Sequence, residues 1–224
     1  VIKILDIQTG RKQKLTSKSK YFTPDISADG SRVAAVQVNT DGKSELHVLD
    51  ASSGEVMQRI HSTEISLFTD PKFMDAQTLI TVVRLKDGKT ALATADILTG
   101  VTMRLTPLSF TIIGYPAVKD SVVYFTASYQ GNDDVFALRL DTKKIYSVTQ
   151  GNMGRYFVNA GEEKLTWSVF SAEGYQLQQQ AIDPAAWKPV DMAVTEQLTR
   201  QWPVAGLPAT LMHLSDTLTA RTFT

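Results

Sequence analysis

Three histidines, His47, His61 and His213, are the side chains best suited to general acid–base work or metal binding near neutral pH. They stand far apart, and none falls in an H-E-x-x-H or similar ligand spacing. Each reads as a packed or surface histidine. Cysteine is absent, which removes disulfides, thiolate nucleophiles and cysteine-ligated zinc. The sequence holds no G-x-S-x-G nucleophile elbow, no P-loop and no G-x-G-x-x-G. The acidic pair Asp133-Asp134, after Asn132, has the charge to hold a cation weakly. It sits where other stretches carry Asp-Gly turns, so a solvated hairpin tip accounts for it. The expectation is a chain with no catalytic residue, no cofactor site and no metal site.

Aspartate is the residue with a rhythm. An apolar residue followed by aspartate recurs at Leu5-Asp6, Leu49-Asp50, Ala95-Asp96, Leu140-Asp141 and Ile182-Asp183, at separations of 44, 46, 45 and 42 residues. In the first three copies a glycine follows four residues on, in "DIQTG", "DASSG" and "DILTG". The later copies, "DTKKI" and "DPAAW", lack it. Other features keep the same beat. Pro24, Pro71 and Pro116 precede their aspartates by 26, 25 and 25 residues, and Asp41-Gly42 and Asp87-Gly88 begin nine residues before theirs. Repeats close on similar endings: "RKQKLT", "VTMRLT" and "IYSVT". One aspartate per repeat at a strand end suits a turn-former that accepts backbone N–H groups just ahead of it. A catalyst would be special to one copy.

Each repeat reads as four short strands separated by turns, and the second strand is the most apolar: "RVAAVQV", "TLITVV", "VVYFTA" and "KLTWSVF". Such runs suit strands buried on both faces. Asp-Gly pairs supply the positive φ angles that tight hairpins need. Nothing from 1 to 183 sustains a helical period. Four antiparallel strands repeating every 42 to 46 residues mark an all-β fold, a β-propeller of four-stranded blades. The expected blades lie at about 21–60, 67–106, 113–149 and 155–192, after a half blade at 1–16. That count predicts an incomplete ring of about four blades plus a half blade. Residues 193–224, with Pro203, Gly206 and Pro208, read as a linker or the start of a following segment. The chain opens within a strand, on "VIKILDIQTG", and reads as a processed chain or a piece of something longer.

The stretch "PDISADGSRVAAVQVNTDGKSELHVLDASSGEVMQRI" resembles the repeat of TolB-type propellers, bacterial relatives of WD-repeat blades. It shares their proline, the D-G turn before an apolar strand, the strand ending in aspartate and the glycine turn. The resemblance covers about four-fifths of the chain. It implies a non-catalytic propeller module in a bacterial envelope protein, periplasmic or outer-membrane-associated, presenting one face to a protein or glycan partner. The same repeat also builds the propeller that gates a prolyl-oligopeptidase-type serine peptidase, whose hydrolase domain is absent from this chain.

Composition narrows the partners. Lys plus Arg equals Asp plus Glu, at 23 each, so no basic excess recruits nucleic acid. The longest apolar runs fall far short of the roughly 18 residues of a membrane span. Expected partners are a protein or other domains of the parent protein. In a propeller, the loops leading into each inner strand share one face with the hairpins joining second and third strands. On those loops the chain places Tyr21, Phe22, Phe68, Tyr115, Arg155 and Tyr156, and on the hairpins Asp41, Asp87, Asn132 and Asp134. Aromatic and arginine residues around a concavity typify protein-binding hot spots. The competing expectation is that the aromatics pack between blades.

Overall fold

The computed structural model describes residues 1–192, and the expected linker at 193–224 lies outside them. Residues Val1–Val190 form one compact unit built from five antiparallel sheets. The first holds β1 (Lys3–Leu5) and β2 (Lys12–Lys14). Two four-stranded sheets follow: β3 (Tyr21–Ile26), β4 (Arg32–Val38), β5 (Ser44–Asp50) and β6 (Val56–Ile60), then β7 (Ile65–Phe73), β8 (Thr78–Leu85), β9 (Thr90–Asp96) and β10 (Thr102–Arg104). Next come β11 (Ile113–Lys119), β12 (Val122–Ala127), β13 (Asp134–Arg139) and β14 (Ile145–Ser147). The last sheet is β15 (Arg155–Ala160), β16 (Lys164–Ser171) and β17 (Gly174–Ala181). Within each sheet the strands pair in chain order, and the first strands touch in sequence, β3 with β7, β7 with β11 and β11 with β15. This is a β-propeller arrangement of four blades preceded by a half blade.

The core lies between blades. Val36, Leu46 and Val48 of the first full blade pack on Phe68, Leu79 and Val83 of the next. Ile2 and Leu15 of the half blade pack on Val33, Ala35 and Leu49. Strands β4, β8 and β12 are buried almost throughout, because a blade lies on either side of each. Strand β16 instead alternates: Leu165, Trp167 and Val169 are buried while Phe170 is exposed. Among the described residues its sheet is covered on one face.

The recurring aspartates are turn-formers. Asp6 Oδ1 accepts from the N–H groups of Gln8 and Thr9, Asp50 Oδ1 from Ser52 and Ser53, and Asp96 Oδ1 from Leu98 and Thr99, at 2.7–3.1 Å. These bonds hold the Asp6 and Asp96 carboxyls below the ordinary value, and at Asp50 the Ser52 hydroxyl together with the N–H groups holds it at about 2. The "LT" endings also gain a cause. Leu15, Leu105 and Val148 donate N–H to the carbonyls of Ile2, Leu92 and Val135 at 2.8–3.0 Å. The next threonine, Thr16, Thr106 or Thr149, accepts the N–H of that same residue through Oγ1 at 2.8–3.0 Å. A leucine–threonine or valine–threonine pair thus clasps the outer strand to its neighbour.

Two expectations change. In the third full blade the turn position belongs to Arg139, not Asp141. Arg139 N–H donates to Lys144 O at 3.0 Å and Lys143 N–H to Arg139 O at 2.9 Å, as Asp96 and Gly100 do in the blade before. Lys143, at φ 56°, takes the left-handed position glycine holds elsewhere, and Asp141 instead pairs with Arg139 at 2.8 Å. The last repeat lacks the expected fourth strand among the described residues. There Asp183 Oδ1 caps a short 3-10 turn, Pro184–Ala186. The chain then gives β18 (Lys188–Pro189), a fifth strand on β14 of the preceding blade. Trp187 anchors it, buried edge-on against Tyr124 with centroids 5.8 Å apart.

Candidate functional site

Every first strand of a full blade breaks register at the same place, between Phe22 and Asp25, Thr69 and Lys72, Gly114 and Ala117, and Tyr156 and Asn159. At each break one residue that is not glycine has positive φ: Thr23 at 44°, Asp70 at 49°, Tyr115 at 52° and Phe157 at 57°. Left-handed backbone strains an L-residue, at a cost of about 1 kcal/mol or more each. Three of the four precede proline: Pro24, Pro71 and Pro116. A bulge re-aims a side chain out of the strand's alternation. All four residues line one cavity of about 630 Å³ bordered by the four first strands.

The cavity joins unlike groups on a repeated backbone. Asp25 reaches the next blade, accepting from Lys72 Nζ at 2.8 Å and from Phe73 N–H at 2.9 Å. Asp70 does the same one blade on, its Oδ2 accepting from Tyr115 N–H at 3.2 Å. Burial pushes the Asp70 carboxyl above its ordinary value, opposed by that hydrogen bond and by Lys72. The Tyr115 and Phe157 rings meet at 4.3 Å between centroids, and Phe157 remains 56% exposed. The arrangement offers a carboxylate, a phenol, a phenyl ring, a hydroxyl and the amide of Asn159 to whatever enters. Among the described residues no three metal-ligating side chains gather, and no helix is long and apolar enough to cross a membrane.

The residues expected on the partner face meet different fates. Sheet register sets the starts of β3, β7, β11 and β15 opposite the ends of β4, β8, β12 and β16, where the expected hairpins lie. Phe22 is exposed there. Asp41 and Asp87 are exposed at their hairpin tips, paired with Lys43 and Lys89 at 2.9 and 3.0 Å, and Asn132 is exposed at its own. Tyr21 donates or accepts at His47 Nδ1 over 2.8 Å, and His47 Nε2 lies 3.1 Å from Glu45. Burial lowers the His47 pKa against the pull of Glu45. Phe68 must be removed from the face: it is fully buried between blades, its N–H donating to Ser44 Oγ at 2.6 Å.

Asp134 and Arg155 come together, but inward. Asp134 is buried and accepts from Arg155 Nη1 at 2.7 Å and from Thr149 Oγ1 at 3.1 Å. That buried ion pair ties the last blade to its neighbour and is not free for a partner. Tyr156 donates to Asp133 Oδ2 at 2.6 Å, which with burial pushes the phenol up to about 12. Its ring stands edge-on to Tyr115 at 6.3 Å, so Tyr115 connects the expected face to the cavity. Thr23, Asp70 and Phe157 were missed by sequence reasoning. The prolines on the repeat beat marked their neighbourhood without revealing the bulge.

No protein-family model and no curated protein matches the chain. Solved structures do. TolB from Acinetobacter baumannii matches with a TM-score of 0.64 and 16% identity, over 84% of this chain and 47% of that one. A puromycin-hydrolyzing peptidase of Mycobacterium tuberculosis matches with a TM-score of 0.63 and 12% identity, over 80% of this chain and 30% of its own. A prolyl endopeptidase matches with a TM-score of 0.58 and 12% identity, over 84% of this chain and 30% of its own. The chain therefore spans about half the length of that TolB and under a third of those peptidases. The fold is that of a TolB-like β-propeller segment.

Proposed function

We propose that the chain is a non-catalytic propeller module that binds a protein or glycan partner at the mouth of its cavity, within a bacterial cell-envelope protein. One observation carries this reading: four bulges with one backbone shape present four different side chains, Thr23, Asp70, Tyr115 and Phe157, to a shared cavity. Backbone strain kept at a concave surface, with side-chain identity varied, suits recognition. The envelope setting, periplasmic or outer-membrane-associated, rests on the likeness to TolB. Peptide and glycan arrays probed with the purified chain test the reading. Spots bound by the chain and lost on Phe157→Ala support it; binding unchanged by Phe157→Ala, or no binding at all, overturns it.

The likeness to the two peptidases favours a second reading, a propeller that gates a hydrolase domain. There too this chain is inert alone, and its cavity serves as a passage. Cleavage of a prolyl peptide by the purified chain would contradict both readings. Prolyl-peptide hydrolysis by the parent protein, slowed when the cavity is altered, would select the second.

A further inference from the structure

Within the cavity the charges do not balance. Lys72 pairs directly with Asp25, at 2.8 Å, and acts on Asp70 only at longer range. Asp70 has no cation within salt-bridge distance among the described residues, and its one hydrogen bond, from Tyr115 N–H at 3.2 Å, occupies Oδ2. The formal charge of the lining is therefore one negative: Asp25 and Asp70 against Lys72. A half-buried carboxylate without a counter-ion is costly, and a positive charge brought to it recovers that cost. Beside it stand two aromatic rings, Tyr115 and the exposed Phe157, in contact at a 47° tilt. Aromatic faces attract cations, and a planar guanidinium both stacks on a ring and bridges to a carboxylate. Sugar hydroxyls would bond to Asp70 and Asn159 as well, but they would leave the negative charge uncompensated.

We propose that the cavity is an arginine subsite: the guanidinium of a partner peptide stacks on Phe157 and Tyr115 and pairs with the open oxygen, Oδ1, of Asp70. The proposal rests on the partner-binding reading above and names the chemistry the partner must present. The bulges bring the groups together: Asp70, Tyr115 and Phe157 come from three successive blades, and each, at a left-handed bulge, lines the same cavity. A lysine ammonium would satisfy the charge, though not the planar stacking, so it should bind more weakly.

The test titrates the peptide acetyl-Gly-Arg-Gly-amide into isotope-labelled chain and follows amide resonances. Expected are saturable shifts at residues 70, 115 and 157. A counterpart bearing uncharged, isosteric citrulline should bind at least about tenfold more weakly, as should the Asp70→Asn variant. The side-chain amide of that variant is isosteric with the carboxyl and retains an acceptor for Tyr115 N–H, so the bulge keeps its hydrogen bond. Glu55→Gln, at an exposed outer turn remote from the cavity lining, should bind as the parent does. Equal affinity for the citrulline peptide, or unchanged binding by Asp70→Asn, overturns the subsite. Array ligands that need Phe157 but not Asp70 overturn the subsite and leave the partner-binding face standing. Array binding that ignores both residues overturns the face itself.

Discussion

The outer turns and the inner bulges both repeat from blade to blade and are built on opposite rules. At the outer turns the residue types repeat: aspartate opens the turn and glycine closes it in "DIQTG", "DASSG" and "DILTG". Each aspartate is spent on backbone N–H groups a few residues away. At the inner bulges the backbone repeats while the side chains do not. Repetition of type marks a residue engaged by its own blade. Repetition of shape with change of type marks a scaffold holding different tools to a common space. The two regions also differ in where strain is tolerated: three of the four turns give the left-handed position to glycine, with Lys143 the exception, and every bulge imposes it on a side chain, Thr23, Asp70, Tyr115 or Phe157.

The most damaging change breaks an outer turn. A Cβ on Gly54 would lie 2.3 Å from the Leu15 carbonyl oxygen, and φ there is +75°. Gly54→Ala should cost about 3 kcal/mol in urea unfolding, combining backbone strain with a clash against the half blade. Gly100→Ala has the same strain at φ +72° and open space around the new methyl. It should cost only about 1 kcal/mol. Equal losses would mean that the half blade does not press on the Gly54 turn.

A smaller effect separates the two kinds of aspartate by pH. Asp50 has a folded pKa depressed to about 2 from an ordinary 3.8. Its contribution to stability is present above 3.8 and is lost as pH falls toward 2. Asp50→Asn should therefore lower the urea midpoint at pH 7, with the gap closing through that window. Asp70 has a folded pKa raised by burial, so its ionised form opposes folding. Asp70→Asn should raise the midpoint at pH 7, and this gain should vanish once pH falls below the ordinary carboxylate value. Gaps of the same sign at pH 7 would erase the distinction between turn and bulge.

The mildest change relieves one bulge. Thr23 is exposed, β-branched and left-handed. Thr23→Gly should raise stability by about 1 kcal/mol, because relief of strain outweighs the added freedom of the unfolded chain. A loss instead would show that Thr23 makes a stabilising contact stronger than its strain.

The regular parts of this molecule were legible for physical reasons, and so were the failures. Strand alternation, Asp-Gly turns and a beat of 42 to 46 residues set the blades, because hairpin chemistry is local and repeats in the sequence. In the third full blade the turn begins at Arg139, two residues before the aspartate on the repeat beat. That turn needs a left-handed residue four places after the strand end, and Lys143 supplies it where glycine was the expected signal. Asp141 looked like the recurring aspartate but serves as partner to Arg139. The bulges were invisible because a left-handed Thr, Asp or Tyr before proline runs against local preference, and only the packing of neighbouring blades enforces it. Phe68 and Asp134 were placed on the face by their position in the repeat. Burial of one and ion pairing of the other depend on the adjacent blade, which no single repeat encodes.

The short strand β18 has a further consequence at the rim of the third full blade. A sheet's last strand ordinarily offers a row of open N–H and C=O groups to any passing chain. Here that place is taken by two exposed residues, a charged lysine and a proline with no N–H to give, held down by Trp187. The rim is thereby closed to the strand-by-strand growth that turns exposed β edges into fibrillar aggregates.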